Sequence, residues 1–375
     1  MLKVGITGQA GFIGTHLFNY LNLKKDKIAT IPFHDSYFES HEKLTKFVSE
    51  CNVIVHLAAM NRHGEPQVIY DTNLKLVNQL ISAMELTGSR PHVLFSSSTQ
   101  EERDNLYGKS KHDGRLLLKQ WAERNNSHFT GFVIPNVFGP FGNPNYNSVI
   151  ATFCHQLAHN EQPKIVVDAN LQLIYVNELV DLFYKKMIEA ETEVDEDNYK
   201  VNFTSENKVS EILLTLEYFK KEYFDSHCFP DLKNKFEVNL FNTFRSYIDQ
   251  NSRYPVLLKK NTDQRGAFTE TIKSSLGGQF SFSTTKPGIT RGNHFHTRKI
   301  ERFIVIKGQA TIELRRIGSN EILRFELNGE QPSFVDMPVW YSHNITNVGN
   351  EELITLFWIN EFFDPDDPDT YFETV

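Results

Sequence analysis

Lys3-Val-Gly-Ile-Thr7-Gly8-Gln-Ala-Gly11-Phe12-Ile13-Gly14 decides how the first half of this chain folds. Residues 3–7, with Val4 and Ile6, predict a short buried strand, and the glycine loop carries the chain into a helix ending near Leu23. Glycines suit this place because the backbone must turn tightly, approach a pyrophosphate and pack helix on strand, while the helix N-terminus favours negative charge. The spacing is G-x-x-G-x-x-G. Three glycines can be turn chemistry alone, but a strand before and a helix after point to nucleotide binding, with Gly8, Gly11, Phe12, Ile13 and Gly14 as contacts.

Outward from this loop, strands alternate with helices. Residues 28–33 predict the second strand. An acidic residue at its end would hydrogen-bond an NAD ribose, and its absence leaves room for a 2′-phosphate. Pro32-Phe33-His34 precede Asp35, which leans toward NADP unless the strand runs one or two residues further and Asp35 takes the ribose. Residues 53–59 predict a third strand and a small-residue turn, where Leu57, Ala58 and Ala59 let a nicotinamide cofactor pass close to backbone. A helix is expected over 66–86, and strands over 92–95 and 130–134, the latter ending in Pro135-Asn136-Val137-Phe138-Gly139-Pro140. Further helices are expected over 147–160, 177–189, 209–221 and 235–248, with strand-like runs at 165–167 and 172–176. The acidic stretch 191–198 reads as a solvated loop. The alternation predicts an α/β fold, a Rossmann-type doubly wound parallel sheet with its site at the strand carboxyl ends.

The chemistry is expected in Phe95-Ser-Ser-Ser98-Thr-Gln-Glu-Glu-Arg-Asp-Asn-Leu-Tyr107-Gly-Lys-Ser-Lys111. A buried strand ends in three serines, a polar loop follows, and Tyr107 and Lys111 open a helix. Residues four apart share a helix face, which sets the lysine ammonium beside the phenol. A nearby cation favours phenolate, so the Tyr107 pKa is expected to fall from about 10 toward the working range. Such a tyrosine gives or takes the proton at a sugar alcohol or ketone while a strand-end serine holds the same oxygen. A second Tyr-x-x-x-Lys, Tyr20 and Lys24, lacks that context. Asn136, also at a strand end, either caps its turn or touches substrate.

From Tyr254 onward the texture changes to short β-prone runs cut by glycine, proline and asparagine. A domain boundary is expected at 249–253, giving a dinucleotide-binding domain over 1–248 and a small all-β barrel or jelly roll over 249–375. In Gly288-Ile-Thr-Arg-Gly-Asn-His294-Phe-His296-Thr-Arg-Lys-Ile-Glu301 the two histidines alternate onto one strand face. Glu301 returns to that face on the next strand, and His343 can come from a distant one. Three imidazoles and a carboxylate suit a divalent transition metal, with zinc foremost and iron or manganese as alternatives.

With 375 residues, 40% hydrophobic and 23% charged, the chain is ordinary for a soluble globular protein of two domains. A net charge of −8 argues against general nucleic-acid binding. No apolar run is long enough to span a membrane, the first residues enter a strand without a signal peptide, and the three cysteines are far apart. These features together predict a cytoplasmic protein.

The N-terminal part, by Gly8, Gly11, Gly14, the Ser96-Ser97-Ser98 run, Tyr107 and Lys111, resembles the extended short-chain dehydrogenase/reductases that act on nucleotide sugars. On that resemblance Ser98, Tyr107 and Lys111 are the catalytic residues. The Ser98-to-Tyr107 gap is shorter than is usual there, so the loop covering the substrate must differ. The C-terminal part matches the first cupin signature, G-x5-H-x-H-x4-E-x6-G. The second is partial, since Trp340 stands where glycine is expected, although His343 and Asn347 keep their spacing. The order of the two parts, with Asn145 to Cys154 and the tail Phe363-Asp-Pro-Asp-Asp-Pro-Asp-Thr-Tyr-Phe372, is similar to the CapF family of bifunctional capsular-polysaccharide enzymes. The resemblance implies C3 epimerisation of a UDP-4-keto-6-deoxy-N-acetylaminosugar in the cupin, where the metal either supplies positive charge or fixes the barrel while Tyr341 or Asp336 nearby transfers the proton. NADPH-dependent reduction of the C4 ketone would follow, to UDP-2-acetamido-2,6-dideoxy-L-talose, on the route to UDP-N-acetyl-L-fucosamine for capsule or O-antigen. It also implies a homodimer or higher homo-oligomer. Three rivals stand beside it: an NAD-retaining epimerase or dehydratase, a cofactor-sensing regulator and an iron cupin oxygenase. A dehydratase of this fold places Asp-Glu directly after the catalytic hydroxyl residue, whereas Ser98 is followed by Thr99-Gln100.

Overall fold

Val4, Ile6, Val53, Ile54, Val55, Val93, Leu94 and Phe132 are all buried, leaving their strands apolar on both faces, as a parallel sheet covered by helices on either side requires. The computed structural model describes residues 1–189, 196–258, 260–263, 266–269, 272–274, 278–361 and 364–375. They form two compact units, Met1–Val149 with Asp168–Val209, and Ile150–Val167 with Ser210–Val375.

In the first unit the chain runs β1 (Leu2–Thr7), α1 (Phe12–Asn22), β2 (Ile28–Ile31), α2 (His41–Glu50), β3 (Val53–His56), α3 (Pro66–Thr87), β4 (His92–Ser98), α4 (Leu106–Asn125) and β5 (Phe129–Ile134). After β6 (Asn136–Phe138), the helix α5 (Val149–Ala158) leads away into the second unit. The chain returns with β7 (Asn170–Tyr175), α6 (Val176–Glu189), β8 (Glu196–Lys200) and β9 (Ser205–Lys208). The main sheet has the order β2-β1-β3-β4-β5-β8 with parallel pairing, so strand order reverses between β1 and β3. Ligands of doubly wound sheets bind at such a switch point. Leu17 and Leu21 of α1 pack with Leu179, Val180 and Phe183 of α6 in one apolar core. Phe47, Leu80, Leu118 and Trp121 of α2, α3 and α4 share another.

The expected Rossmann-type sheet is therefore present, with local differences. Residues 165–167 form no strand, and β2 stops at Ile31 rather than reaching Phe33. Residues 196–198, read as solvated loop, belong to the strand Glu196–Lys200 paired with β5; the rest of that acidic stretch, 191–195, lies outside the described residues.

The second unit adds α7 (Val209–Lys220), β10 (Cys228–Phe229), α8 (Lys235–Arg245) and α9 (Gln250–Arg253) to a β-rich body. Its strands are β11 (Val256–Leu257), β12 (Lys260–Asp263), β13 (Gly266–Thr269), β14 (Lys273–Ser274), β15 (Gln279–Thr285), β16 (Thr290–Phe295), β17 (Glu301–Lys307), β18 (Gln309–Arg316), β19 (Ile322–Asn328), β20 (Ser333–Met337), β21 (Tyr341–Asn347), β22 (Leu353–Ile359) and β23 (Tyr371–Phe372). Two five-stranded antiparallel sheets result, β11-β20-β17-β22-β15 and β19-β18-β21-β16-β23. Ile304, Phe334 and Val335 of one share a core with Ile312, Leu314 and Ile345 of the other. Composition changes at 249–253, but the helices over 210–253 group with the β-strands. The cause is visible in Tyr223, whose hydroxyl donates to Asp336 of β20, and in Arg245, which donates to the Met337 carbonyl at 3.1 Å. No described helix is long and apolar enough to cross a membrane.

Candidate active site and candidate metal centre

A cavity of about 760 Å³ opens at the carboxyl ends of the first unit's strands. Gly8, Gly11, Phe12, Ile13 and Gly14 line it on one side, Leu57, Ala58 and Ala59 on another, and Ser98, Tyr107 and Lys111 on a third. Gly8 is at φ +67, and a Cβ there would come within 2.8 Å of the Ala58 backbone nitrogen, so only glycine fits this turn. The backbone surface so exposed, at the start of α1, fits a dinucleotide pyrophosphate. Asp35 and Glu39 also line the cavity, as does Lys75.

The three serines have different tasks. Ser96 Oγ donates to the His56 carbonyl at 3.3 Å, and Ser97 Oγ donates to Glu101. Ser98 Oγ accepts from the Gln100 amide at 3.2 Å, which keeps its hydroxyl hydrogen for a ligand in the cavity. Tyr107 and Lys111 stand one helical turn apart on α4 as expected, but the ammonium does not lower the phenol. Lys111 Nζ donates to the Ser96 carbonyl at 2.9 Å and lies 6.0 Å from the centre of the Tyr107 ring. Burial pulls the lysine down to about 8, with Glu101 pushing back, and burial pushes the phenol up to about 12. Desolvation thus outweighs the cation, and Tyr107 is held in the protonated form that can donate to a ketone oxygen.

The short path from Ser98 to Tyr107 is a tight one. Thr99–Glu102 is a single 3-10 turn, and Asn105 caps α4 by accepting from the Gly108 amide at 2.7 Å. A side chain at Gly108 would run into the Gln100 carbonyl, so the residue after the tyrosine must be small. Glu101 is committed to Arg115, 2.7 Å away, with each side chain 7% exposed. Asn73 of α3 belongs to no motif in the sequence. It accepts from the Met60 amide at 2.7 Å and donates to Ser110 Oγ at 2.9 Å, tying the loop after β3 to the tyrosine helix. Asn136 is exposed, with its amide on the Gln172 carbonyl at 3.3 Å; its neighbours Pro135 and Val137, not Asn136, line the cavity. The second motif copy is structural: Tyr20 donates to Asp181 at 2.7 Å while Lys24 lies over its ring.

In the second unit His294, His296, Glu301 and His343 bring four ligand atoms within 4.8 Å of one another. His294 and His343 are cross-strand partners on β16 and β21, His296 follows at the end of β16, and Glu301 opens β17 in the other sheet. Glu301 Oε2 lies 3.1 Å from His296 Nε2 and 3.2 Å from His343 Nε2. These three buried atoms converge without a hydrogen-bond partner, which fits a cation held between them. Burial alone would raise the Glu301 carboxyl, but the imidazoles of His296 and then His343 hold it well below the usual range. Burial, with His343 and His296 beside it, takes His294 down to about 4, the neutral form a metal ligand needs. His294 is the least buried of the four.

Asp336, a candidate proton acceptor by its place in the sequence, has surroundings that exclude that role. It pairs with Arg302 on the opposite sheet face from Glu301, since neighbours along β17 alternate. Its carboxylate accepts from Arg302 Nε at 2.7 Å and from Tyr254 at 3.2 Å, and the whole residue is buried. Tyr341, two residues before His343, shares that histidine's face. Trp340 takes the left-handed φ of +61 that its glycine-preferring position demands. The ring stacks on Phe295 at 5.4 Å, and the Trp340 amide donates to the His296 carbonyl at 2.8 Å.

A dinucleotide sheet whose serine, tyrosine and lysine meet in one cavity, followed by a β-fold with a histidine–glutamate cluster, defines a short-chain dehydrogenase/reductase joined to a cupin. Residues 4–201 match the NAD dependent epimerase/dehydratase family, and residues 261–371 match the polysaccharide biosynthesis C-terminal domain. The chain is 33% identical over 375 residues to the UDP-2-acetamido-2,6-beta-L-arabino-hexul-4-ose reductase of Pseudomonas aeruginosa, covering 99% of this chain and 98% of that one. The crystal structure of the capsular polysaccharide assembling protein CapF from Staphylococcus aureus is similar over 100% of both chains, at 35% identity and a TM-score of 0.63. RMD from Pseudomonas aeruginosa, complexed with NADPH, shares the fold alone, at 20% identity and a TM-score of 0.53 over 59% of this chain and 83% of that one. The chain belongs to the CapF family of reductase–cupin fusions.

Proposed function

We propose that this protein is a bifunctional nucleotide-sugar enzyme of capsule or O-antigen synthesis. Its second unit epimerises C3 of a UDP-4-keto-6-deoxy-N-acetylaminosugar, and its first unit then reduces the C4 ketone to UDP-2-acetamido-2,6-dideoxy-L-talose. The observation that carries the reading is that Ser98, Tyr107 and Lys111 line the same cavity as the glycine loop. A nicotinamide cofactor held by Gly8, Gly11, Phe12, Ile13, Gly14 and the Leu57-Ala58-Ala59 turn supplies hydride when bound. Ser98 donates to the ketone oxygen and fixes it, and the Tyr107 phenol gives that oxygen its proton. Lys111 holds the serine strand by the Ser96 carbonyl and keeps a cation near the developing charge. Asn136, between the cavity-lining Pro135 and Val137, is the proposed substrate contact. NADPH is the proposed reductant, since β2 ends at Ile31 without an acidic residue. Lys75 favours a 2′-phosphate, while Asp35 and Glu39 oppose it.

In the second unit His294, His296, Glu301 and His343 would hold a divalent ion, zinc by preference, which supplies positive charge beside the ketone oxygen or fixes the barrel. Tyr341 is the remaining candidate to move the C3 proton. Assignment to the cytoplasm and to a homo-oligomer, with a dimer as the simplest, rests on composition and enzyme class.

The NAD-retaining dehydratase reading is disfavoured by Glu101, which is buried against Arg115 rather than offered to a sugar. The two proposed steps separate in the full-length Tyr107→Phe protein. In heavy water without NADPH it should exchange the C3 hydrogen for deuterium and accumulate epimerised ketone, read by proton NMR. Adding His294→Ala should abolish the exchange. Exchange that persists in the double variant would show that the cupin cluster is not the epimerase. Stoichiometric NADPH loss by the wild type marks a reductase; product formed with no net loss marks an epimerase.

A further inference from the structure

Asp369 does two things at once. Its carboxylate accepts from the backbone amides of Thr297, Arg298 and Lys299, at 3.1, 3.0 and 3.0 Å, and from Thr297 Oγ1 at 2.6 Å. Its own carbonyl oxygen lies 2.6 Å from Nδ1 of His296. The residue is 2% exposed and sits at φ +39, a left-handed value that aspartate tolerates better than most side chains. The turn between His296 and Glu301 is thus wrapped around a carboxylate supplied from about seventy positions later in the chain.

The segment around Asp369 is fastened on both sides. Arg298 reaches Asp367, with a closest approach of 2.9 Å, and Lys299 Nζ donates to the Pro368 carbonyl at 2.5 Å. Beyond Asp369, β23 pairs with β16 so that Phe372 stands opposite His294 and Tyr371 opposite Phe295. Tyr371 stacks on Phe295 at 5.4 Å, and Phe295 in turn stacks on Trp340.

We propose that Asp369 is the positioning residue of the histidine–glutamate centre. The tail bearing it acts as a strap that sets the ring of His296 and fixes the turn joining the two first-signature strands. The inference rests on the proposed metal reading and adds to it a part for a segment outside both cupin signatures. With the Asp369 carbonyl accepting from Nδ1–H, Nε2 is left as the lone-pair nitrogen, and Nε2 is the atom that faces Glu301. The carboxylate meanwhile satisfies three successive backbone amides that would otherwise point into a buried turn.

Cobalt(II) is the probe, titrated into metal-free full-length protein and followed by its visible absorption, with zinc(II) competition giving affinity. Loss of an outer partner of a metal-bound histidine typically costs about 10–100-fold in affinity. Asp369→Ala should lose that much and shift the cobalt band, while its melting transition survives and first-unit nicotinamide binding is unchanged. Asp369→Asn keeps one acceptor oxygen and the same backbone, and should recover part of the affinity. Amide exchange in the metal-free protein gives a second readout: Thr297, Arg298 and Lys299 should exchange faster in Asp369→Ala while Ile304 and Ile312 stay protected. Wild-type cobalt affinity and band in Asp369→Ala, with His296→Ala losing both, would overturn the positioning role alone. A wild-type protein that takes up neither metal would overturn the metal reading and this inference together.

Discussion

Lys111 gives its ammonium to the carbonyl of Ser96, 2.9 Å away at the end of the neighbouring strand, rather than to the phenol one turn back on its own helix. The lysine thereby locks the tyrosine helix to the strand that ends in Ser98, and both hydroxyls proposed for catalysis are placed by one buried cation. Tyr107 keeps its proton, which suits a group that must donate.

Replacing Tyr107 by Phe should remove ketone reduction while leaving nicotinamide binding nearly intact, because the hydroxyl acts on the ketone and not on the cofactor. General acid catalysis contributes about 10²–10⁴-fold, and a loss of that order in kcat is expected from single-turnover absorbance of the reduced cofactor. Tyr20→Phe should be silent in the same assay, since its hydroxyl serves Asp181.

The pH profile should report Lys111 rather than Tyr107. Burial brings the ammonium to about 8, so its charge is present below that pH and is lost as pH rises through it. The phenol, at about 12, stays protonated throughout. kcat/KM for reduction should therefore fall above pH 8 along a single-proton curve. A flat profile up to pH 10 would mean that the lysine charge contributes nothing.

Glu101→Gln should destabilise the first unit without changing the product. Removing one partner of a buried ion pair typically costs about 3–5 kcal/mol, because Arg115 is left charged and uncompensated. A lowered melting temperature with the same reduced sugar is the expected pair of results. Appearance of an eliminated product in the wild type, lost in the variant, would restore Glu101 as a base at C5.

Asp35 lies in the cavity lining although it stands four residues past the end of β2. If NADPH is the reductant, its 2′-phosphate meets this carboxylate as a like charge. Asp35→Asn should raise the NADPH-to-NADH ratio of kcat/KM by roughly tenfold, about 1.4 kcal/mol of relieved repulsion. Equal ratios in wild type and variant would place the 2′ position elsewhere.

These residues also show what a sequence can disclose. Gly8, Gly11 and Gly14, and the Ser98, Tyr107, Lys111 set, are legible because the chemistry dictates residue type and local spacing together. The four candidate metal ligands are legible for the same reason, through alternation on one strand and a turn of fixed length. Glu196–Lys200 was masked by its acidic lead-in, since only pairing with β5 makes it a strand. Asp336 looked like a base because its true partners, Arg302, Tyr223 and Tyr254, come from distant positions that no local pattern connects. The Tyr107 pKa differs from the expected one for a related reason. Spacing shows that a cation is near, whereas burial, which decides the sign, depends on the whole fold. Trp340 is the opposite case, a position where the backbone keeps a glycine-like angle although the residue has changed.

The tail that binds the turn after His296 also sets an order of events at the ribosome. Domains generally fold as units from the N-terminal side during synthesis. The strands of the dinucleotide sheet, which end with β8 at Lys200, emerge well before any histidine of the second cluster. That cluster itself cannot take its final shape when Glu301, or even His343, has been made, because the turn between His296 and Glu301 has nothing to close around until Asp369 arrives. The reductase half is thus ready to fold early, whereas the metal-type centre matures late. A premature stop between His343 and Asp369 would leave a nascent chain with every candidate ligand present and the turn between His296 and Glu301 without its carboxylate.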